Sequence, residues 1–214
     1  MGTVRIEELR KRITPMVPGC PEMLVDREVI TVTREICERT KMWKEPQEVT
    51  SSRAKMNILD LGPYPDAEVI SVEYVTYNKL ELIQTNEREL SEYFPRWRDI
   101  NGPPTHFFHV RRDKTIHLYP CPNLNMPRYI KYEVIVKPSL DAETIPDFIY
   151  ESATPCIIDG ALSNLMFIAG KEWSNPDEAM RRRGLFDHGV YRLRDLSTRM
   201  YASQNLNLTP DCIY

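Results

Sequence analysis

Apolar residues along the chain change their spacing twice. Val25, Val29, Val32 and Ile36 recur at intervals of four, three and four, the single stripe of an amphipathic helix. Asp26, Arg27, Glu28, Arg34, Glu35, Glu38 and Arg39 fill its other faces, and Leu9 and Ile13 mark a shorter charged helix ahead of it. Between the two, Pro18-Gly19-Cys20-Pro21-Glu22 reads as a turn that places a proline near the first helical position. The longer helix is expected to fade near Met42-Trp43, before Pro46.

From about residue 56 the period drops to two. Ile130, Tyr132, Val134 and Val136 alternate with Tyr129, Lys131, Glu133 and Lys137, the pattern of a half-buried strand. Residues 68–77 predict another strand, turned back at Asn78-Lys79 into 80–83. Residues 106–111 and 115–119 predict a second hairpin about Asp113-Lys114, and 86–94 a short helix. Helical spacing returns after Pro138. Ile157, Ile158, Ala161, Leu162, Leu165, Met166 and Phe167 make a band wide enough for a mostly buried helix that opens near Ile145-Pro146-Asp147-Phe148. Pro155 is expected to kink that helix or delay its start. Asn175-Pro176-Asp177-Glu178 supplies a cap, a first-turn proline and two acids for a last helix, with Phe186, Val190, Leu193 and Met200 as its stripe. From Ser203 the string SQNLNLTPDCIY has no period and predicts an extended tail. The expectation is an α+β fold: a helical bundle from residues 1–55 and 139–202, an inserted small antiparallel β domain at 56–138, and an extended C-terminal arm at 203–214.

Composition narrows the function classes. Against 31 Asp+Glu the 28 Lys+Arg leave a net charge of −3, so bulk attraction to nucleic acid or to an anionic membrane is not expected. No apolar run approaches the roughly 18 residues that cross a bilayer, and MGTVRIEELRKRI lacks the apolar core of a secretory signal. A soluble, cytosolic protein with no membrane partner is expected. Cys20, Cys37, Cys121, Cys156 and Cys212 lie far apart, which predicts free thiols rather than a disulfide framework or a zinc site. The 17 Pro and 8 Gly leave glycines scattered singly, and no phosphate-cradling loop, dinucleotide fingerprint or nucleophile elbow appears. His106, His109, His117 and His188 have no metal-ligand spacing with acids. Asp60, Asp66 and Asp99 fall in turn segments, where aspartate serves local hydrogen bonding. No catalytic, cofactor or metal site is predicted, and the chain reads as non-enzymatic.

Charge is laid out unevenly near the end. Residues 139–180 hold Lys171 against Asp141, Glu143, Asp147, Glu151, Asp159, Glu172, Asp177 and Glu178. Residues 181–199 hold six arginines against Asp187 and Asp195. Of these, Arg181, Arg182, Arg183, Arg192 and Arg194 are the candidates for a subunit–subunit interface that meets an acidic face on a neighbour. The alternative is a non-enzymatic nucleic-acid-binding module acting through the same Arg-rich helix. Without interleaved aromatics or a groove-reading motif, the protein partner is the stronger expectation.

A series of short strings in fixed order then becomes informative. They are Pro18-Gly19-Cys20-Pro21, Glu35-Ile36-Cys37-Glu38-Arg39-Thr40 leading to Trp43, Thr115-Ile116-His117-Leu118-Tyr119-Pro120, and Val136-Lys137-Pro138-Ser139. Ile145-Pro146-Asp147-Phe148, Gly160-Ala161-Leu162 and Gly170-Lys171-Glu172-Trp173-Ser174-Asn175-Pro176 follow. In this order, over about residues 18–200, the chain resembles the head-to-tail adaptor (connector) proteins of tailed bacteriophages. The resemblance implies a structural virion protein, present in the host cytoplasm during assembly, that forms a ring beneath the portal protein at the capsid vertex. The ring is a homo-oligomer, usually twelvefold, with tail nozzle or tail proteins on its other side and genomic DNA passing through its channel without sequence recognition. The C-terminal extension is implied to reach the portal, which makes Leu206, Leu208, Ile213 and Tyr214 the expected anchors of a docking arm.

Overall fold

A computed structural model describes residues 2–62, 64 and 66–205. The chain divides into two compact units: Met1–Trp43 together with the chain from Lys137 onward, and Lys44–Val136.

In the first unit, β1 (Thr3–Arg5) leads into α1 (Ile6–Ile13), and Pro21 caps α2 (Glu22–Thr40). Val25, Val29, Val32 and Ile36 are all fully buried, as their spacing predicts. Lys41 adopts the left-handed conformation, with φ of 52°, and closes α2 through a backbone bond to Cys37. After Lys137, β10 (Thr144–Pro146) pairs antiparallel with β1 and delivers the chain into α4 (Asp147–Met166). That helix starts without delay and runs on through Pro155, which lies on an exposed face. α5 (Pro176–Asn205) packs back along α4, while α2 lies against both. The three helices meet at Gly160, where an added Cβ would stand 2.6 Å from Val32 Cγ1 and 2.7 Å from Phe186 Cδ2. Only a residue without a side chain lets α2 and α5 meet α4 at that depth.

The second unit is built on two four-stranded sheets. β2 (Lys44–Ser52), β4 (Ala67–Tyr77), β5 (Leu80–Glu81) and β9 (Met126–Pro138) form one, in the order β2-β9-β4-β5. β3 (Ile58–Asp60), β6 (Ile83–Gln84), β7 (His106–Val110) and β8 (Thr115–Tyr119) form the other, in the order β3-β8-β7-β6. Asn78 and Lys79 both have positive φ, 51° and 66°, the two-residue turn whose twist matches a hairpin. Between the sheet strands, α3 (Glu87–Tyr93) is capped by Asn86, whose side chain accepts from the Glu89 amide at 2.9 Å. Its Leu90 joins Trp97, Phe108 and Tyr119 in a buried cluster, with the Trp97 and Phe108 rings edge-to-face at 5.9 Å.

This architecture corrects the fold expected from the sequence. The chain is a mixed α/β protein, with five helices and ten strands in three sheets among the described residues, 44% helix and 28% strand. It is not a helical bundle carrying a small antiparallel β insert. Three features account for the difference. Residues 44–52, read as the tail of the helical segment, are the strand β2, because Lys41 has already ended α2 and the segment pairs antiparallel with β9. β1 and β10 form a sheet within the helical unit from strands of three residues each, too short to display a period. β6 pairs parallel with β7, Ile83 opposite His106, so the second sheet is not purely antiparallel.

Candidate docking surface on the C-terminal helix

α5 starts where its first residues dictate. The Asn175 side chain accepts from the Glu178 amide at 3.2 Å, Pro176 occupies the first turn, and Asp177 and Glu178 face the positive end of the helix dipole. Ala179, Phe186, Val190, Leu193 and Ser197 turn inward and are buried. The arginines occupy what is left of the circumference, and the structure divides them into two sets.

The first set is committed within the chain. Arg181 grips Glu178 with two parallel bonds of 2.8 and 2.7 Å. Arg182 bonds the same carboxylate at 2.7 Å and reaches across to Asp159 on α4 at 2.6 Å. Arg183 donates to both oxygens of Glu35 on α2, at 2.7 and 3.3 Å, and stands 3.6 Å from Asp187. Arg39 completes a ring of alternating charges by bonding Glu35 at 3.0 Å and Asp187 at 2.7 Å. The Arg183 and Arg39 guanidiniums both lie over the buried Phe186 ring, 4.7 and 5.6 Å from its centroid. Protonation follows these bonds. The Arg181 and Arg182 guanidiniums hold the Glu178 carboxyl down at about 2. The bonds to Asp159 and to Asp187 raise the Arg182 and Arg39 guanidiniums above their ordinary value. Part of the acid–base complementarity visible along the sequence therefore closes inside one chain. Glu35, Arg39 and Asp187 were the members missed by sequence reasoning, although the four-residue spacings of Glu35–Arg39 and Arg183–Asp187 are readable.

The second set differs. Arg192, Arg194 and Arg199 are exposed, and among the described residues no acid or hydrogen-bond acceptor meets their guanidiniums. Arg192 and Arg199 are seven residues apart, two helical turns, and so share one face. That face borders a groove of about 150 Å³ between α4 and α5. α4 lines it with Ser152, Pro155 and Cys156, and α5 with Gly189, Arg192, Leu193 and Leu196. Burial pushes the Cys156 thiol up to about 12, and its Sγ lies 3.5 Å from the Phe186 carbonyl, so it offers packing rather than a nucleophile.

The remaining sequence candidates do not come together. Among the described residues no three His, Cys, Asp or Glu side chains converge as a metal site. Burial lowers the pKa of His109 and of His117, and the His117 ring stacks on Phe108 at 4.8 Å. No helix among the described residues is long and apolar enough to cross a membrane. α5 continues through Asn205, beyond the start at Ser203 expected for the arm, and Leu206, Leu208, Ile213 and Tyr214 lie outside the described residues. No protein-family model matches the chain, and no curated protein matches it significantly.

Proposed function

We propose that this chain is a non-enzymatic ring subunit that joins the portal to the tail of a tailed bacteriophage. The observation that carries the reading is the ordered series of strings across residues 18–200, from Pro18-Gly19-Cys20-Pro21 to the Asn175-Pro176 start of α5. The division of the arginines adds support. A ring subunit meets two neighbours through different surfaces, and α5 carries Arg192, Arg194 and Arg199, whose guanidiniums have no partner among the described residues, beside exposed Tyr191 and Leu196. The portal is the partner of the arm, the tail proteins face the other side, and DNA passes the channel without sequence readout. Arg181, Arg182 and Arg183 are engaged with acids of their own chain, so they would meet a neighbour with their charge already partly balanced.

Electron microscopy of the purified protein mixed with the portal protein of its phage tests the reading. A closed ring on the portal is the expected image. Truncation after Asn205 should leave a folded subunit that no longer docks, and Arg192→Glu should dock with an incomplete ring. Absence of any portal complex overturns the adaptor role. Duplex DNA binding by the free subunit at low salt, lost steeply as salt rises, would favour nucleic-acid binding through α5 instead.

A further inference from the structure

Residues 139–143 connect β9 to β10 and hold one large apolar side chain out of the protein. The Ala142 amide bonds the Ser139 carbonyl at 3.4 Å, a turn with Leu140 and Asp141 at its corners. Three contacts fix that turn to the helices. Arg34 on α2 donates to the Pro138 carbonyl, the Ile6 amide at the start of α1 donates to the Glu143 carbonyl at 3.1 Å, and Ala142 is buried. Leu140 is nevertheless 65% exposed. Asp141 and Glu143 flank it, both exposed, and among the described residues no cation meets either carboxylate. A side chain on a turn already held in one conformation gives up little freedom on binding.

The groove between α4 and α5 offers the complement. At about 150 Å³ it is smaller than the roughly 300–1,000 Å³ of small-molecule sites and is sized for a side chain. Pro155, Cys156, Leu193 and Leu196 make it apolar, and Leu196 is half exposed. Arg192 lines its α5 rim. Asp195 on α5 and Glu151 on α4 are exposed but line none of it. Helical spacing sets Arg192 about 40° and Asp195 about 100° around α5 from Leu196, so the arginine is the charge nearer the opening. Glu151, four residues before Pro155, stands on the outer side of α4 and turns the carboxylates of an incoming acidic loop toward α5.

Loop and groove are both open in the same chain, so they do not satisfy each other within it. We propose that Leu140 of one copy of this chain docks in the α4–α5 groove of a second copy, with Asp141 and Glu143 against its Arg192. The contact joins two different surfaces and leaves a loop open on one side and a groove on the other, so copies add in series. It needs no portal and stands on the loop and the groove. Within the ring reading it is the contact that each subunit makes with the next.

Disulfide trapping between two full-length variants tests it. Leu140→Cys, whose thiol keeps part of the apolar contact, is mixed with isotope-labelled Ser152→Cys, whose thiol stands in the groove wall. Peptide mass mapping reads the links between labelled and unlabelled chains. Ala169→Cys, exposed beyond the far end of α4, replaces Ser152→Cys in the control. Under mild oxidation the 140–152 link should form at least tenfold faster than the 140–169 link. Arg192→Glu in the groove partner should slow it severalfold, and Asp141→Lys with Glu143→Lys in the loop partner should restore it. Circular dichroism melting checks that each variant is folded. Equal rates for the two links overturn the proposal. A 152–152 link that outpaces 140–152 also overturns it and marks the groove as a twofold contact. A fast 140–152 link in a protein that builds no ring on the portal supports this contact while overturning the adaptor role.

Discussion

Gly160 on α4 faces Phe186 on α5 at a distance that leaves no room for a methyl group: a Cβ there would lie 2.7 Å from Phe186 Cδ2 and 2.6 Å from Val32 Cγ1. Both neighbours are fully buried, so neither can swing aside. Helix propensity alone favours Ala over Gly by about 1 kcal/mol, but overpacking of a filled core costs about 1–3 kcal/mol. Gly160→Ala should therefore destabilise the protein by up to about 2 kcal/mol in urea denaturation, net of the propensity gain. Gly184→Ala on exposed α5, where nothing lies within 4 Å, should stabilise it by up to about 1 kcal/mol. If both substitutions shift the midpoint in the same direction, the helices are not packed as described.

Val29 tests the α2 stripe. It is fully buried among the helices, and Val29→Asp would place a carboxylate there without a partner. A cost of several kcal/mol is expected, about the magnitude of an unpaired buried charge. Soluble expression and a cooperative melt should both be lost, and a variant that melts normally would move the stripe out of the core.

The ring formed by Arg39, Glu35, Arg183 and Asp187 holds α2 to α5, yet its side chains are 30–40% exposed. Solvent screening limits such pairs. A double-mutant cycle on Glu35→Ala and Arg183→Ala should give a coupling of about 0.5 kcal/mol, reduced further in high salt. Arg183→Met should cost less than Arg183→Ala, because its unbranched chain still covers the Phe186 ring.

Acid should act on Glu178 late. Its folded-state pKa of about 2 lies below the ordinary 4.5, so folding favours the ionised form. The contribution is complete above about 4.5 and disappears as pH falls through about 2. Carbon-detected titration of the Glu178 carboxyl should show that low midpoint. The stability gap between wild type and Glu178→Gln should hold from neutral pH to about 4.5 and narrow below it.

The parts of the fold legible in the sequence are those whose signal is local. The α2 stripe, the Asn78-Lys79 turn and the Asn175-Pro176 start are written within a few residues of where they act. Even the clear alternation in β9 was only half of its burial, since Ile135, between Val134 and Val136, is fully buried on the opposite face. β2 shows why the fold class was misread. Lys44–Ser52 has no apolar alternation of its own and is held by register with β9, Lys44 opposite Ile135 and Gln47 opposite Tyr132. The same limit applies to the candidate surface. Six arginines near the C-terminus are visible at once, but that Arg183 is occupied depends on Glu35, 148 residues away. Among the described residues no such partner is folded against Arg192, and a linear pattern carries no trace of that.

The pairing of Lys44 with Ile135 has a further consequence for how the gene product can be cut. The polypeptide enters the Lys44–Val136 unit on β2 and leaves it on β9, and those two points are register neighbours on adjacent antiparallel strands. Its two ends therefore emerge side by side, like the leads of a plug. A short glycine bridge from Trp43 to Lys137 spans the gap left behind, and the excised segment carries both of its four-stranded sheets with it. The β unit is in this sense a cassette, removable without redrawing the helices that flank it.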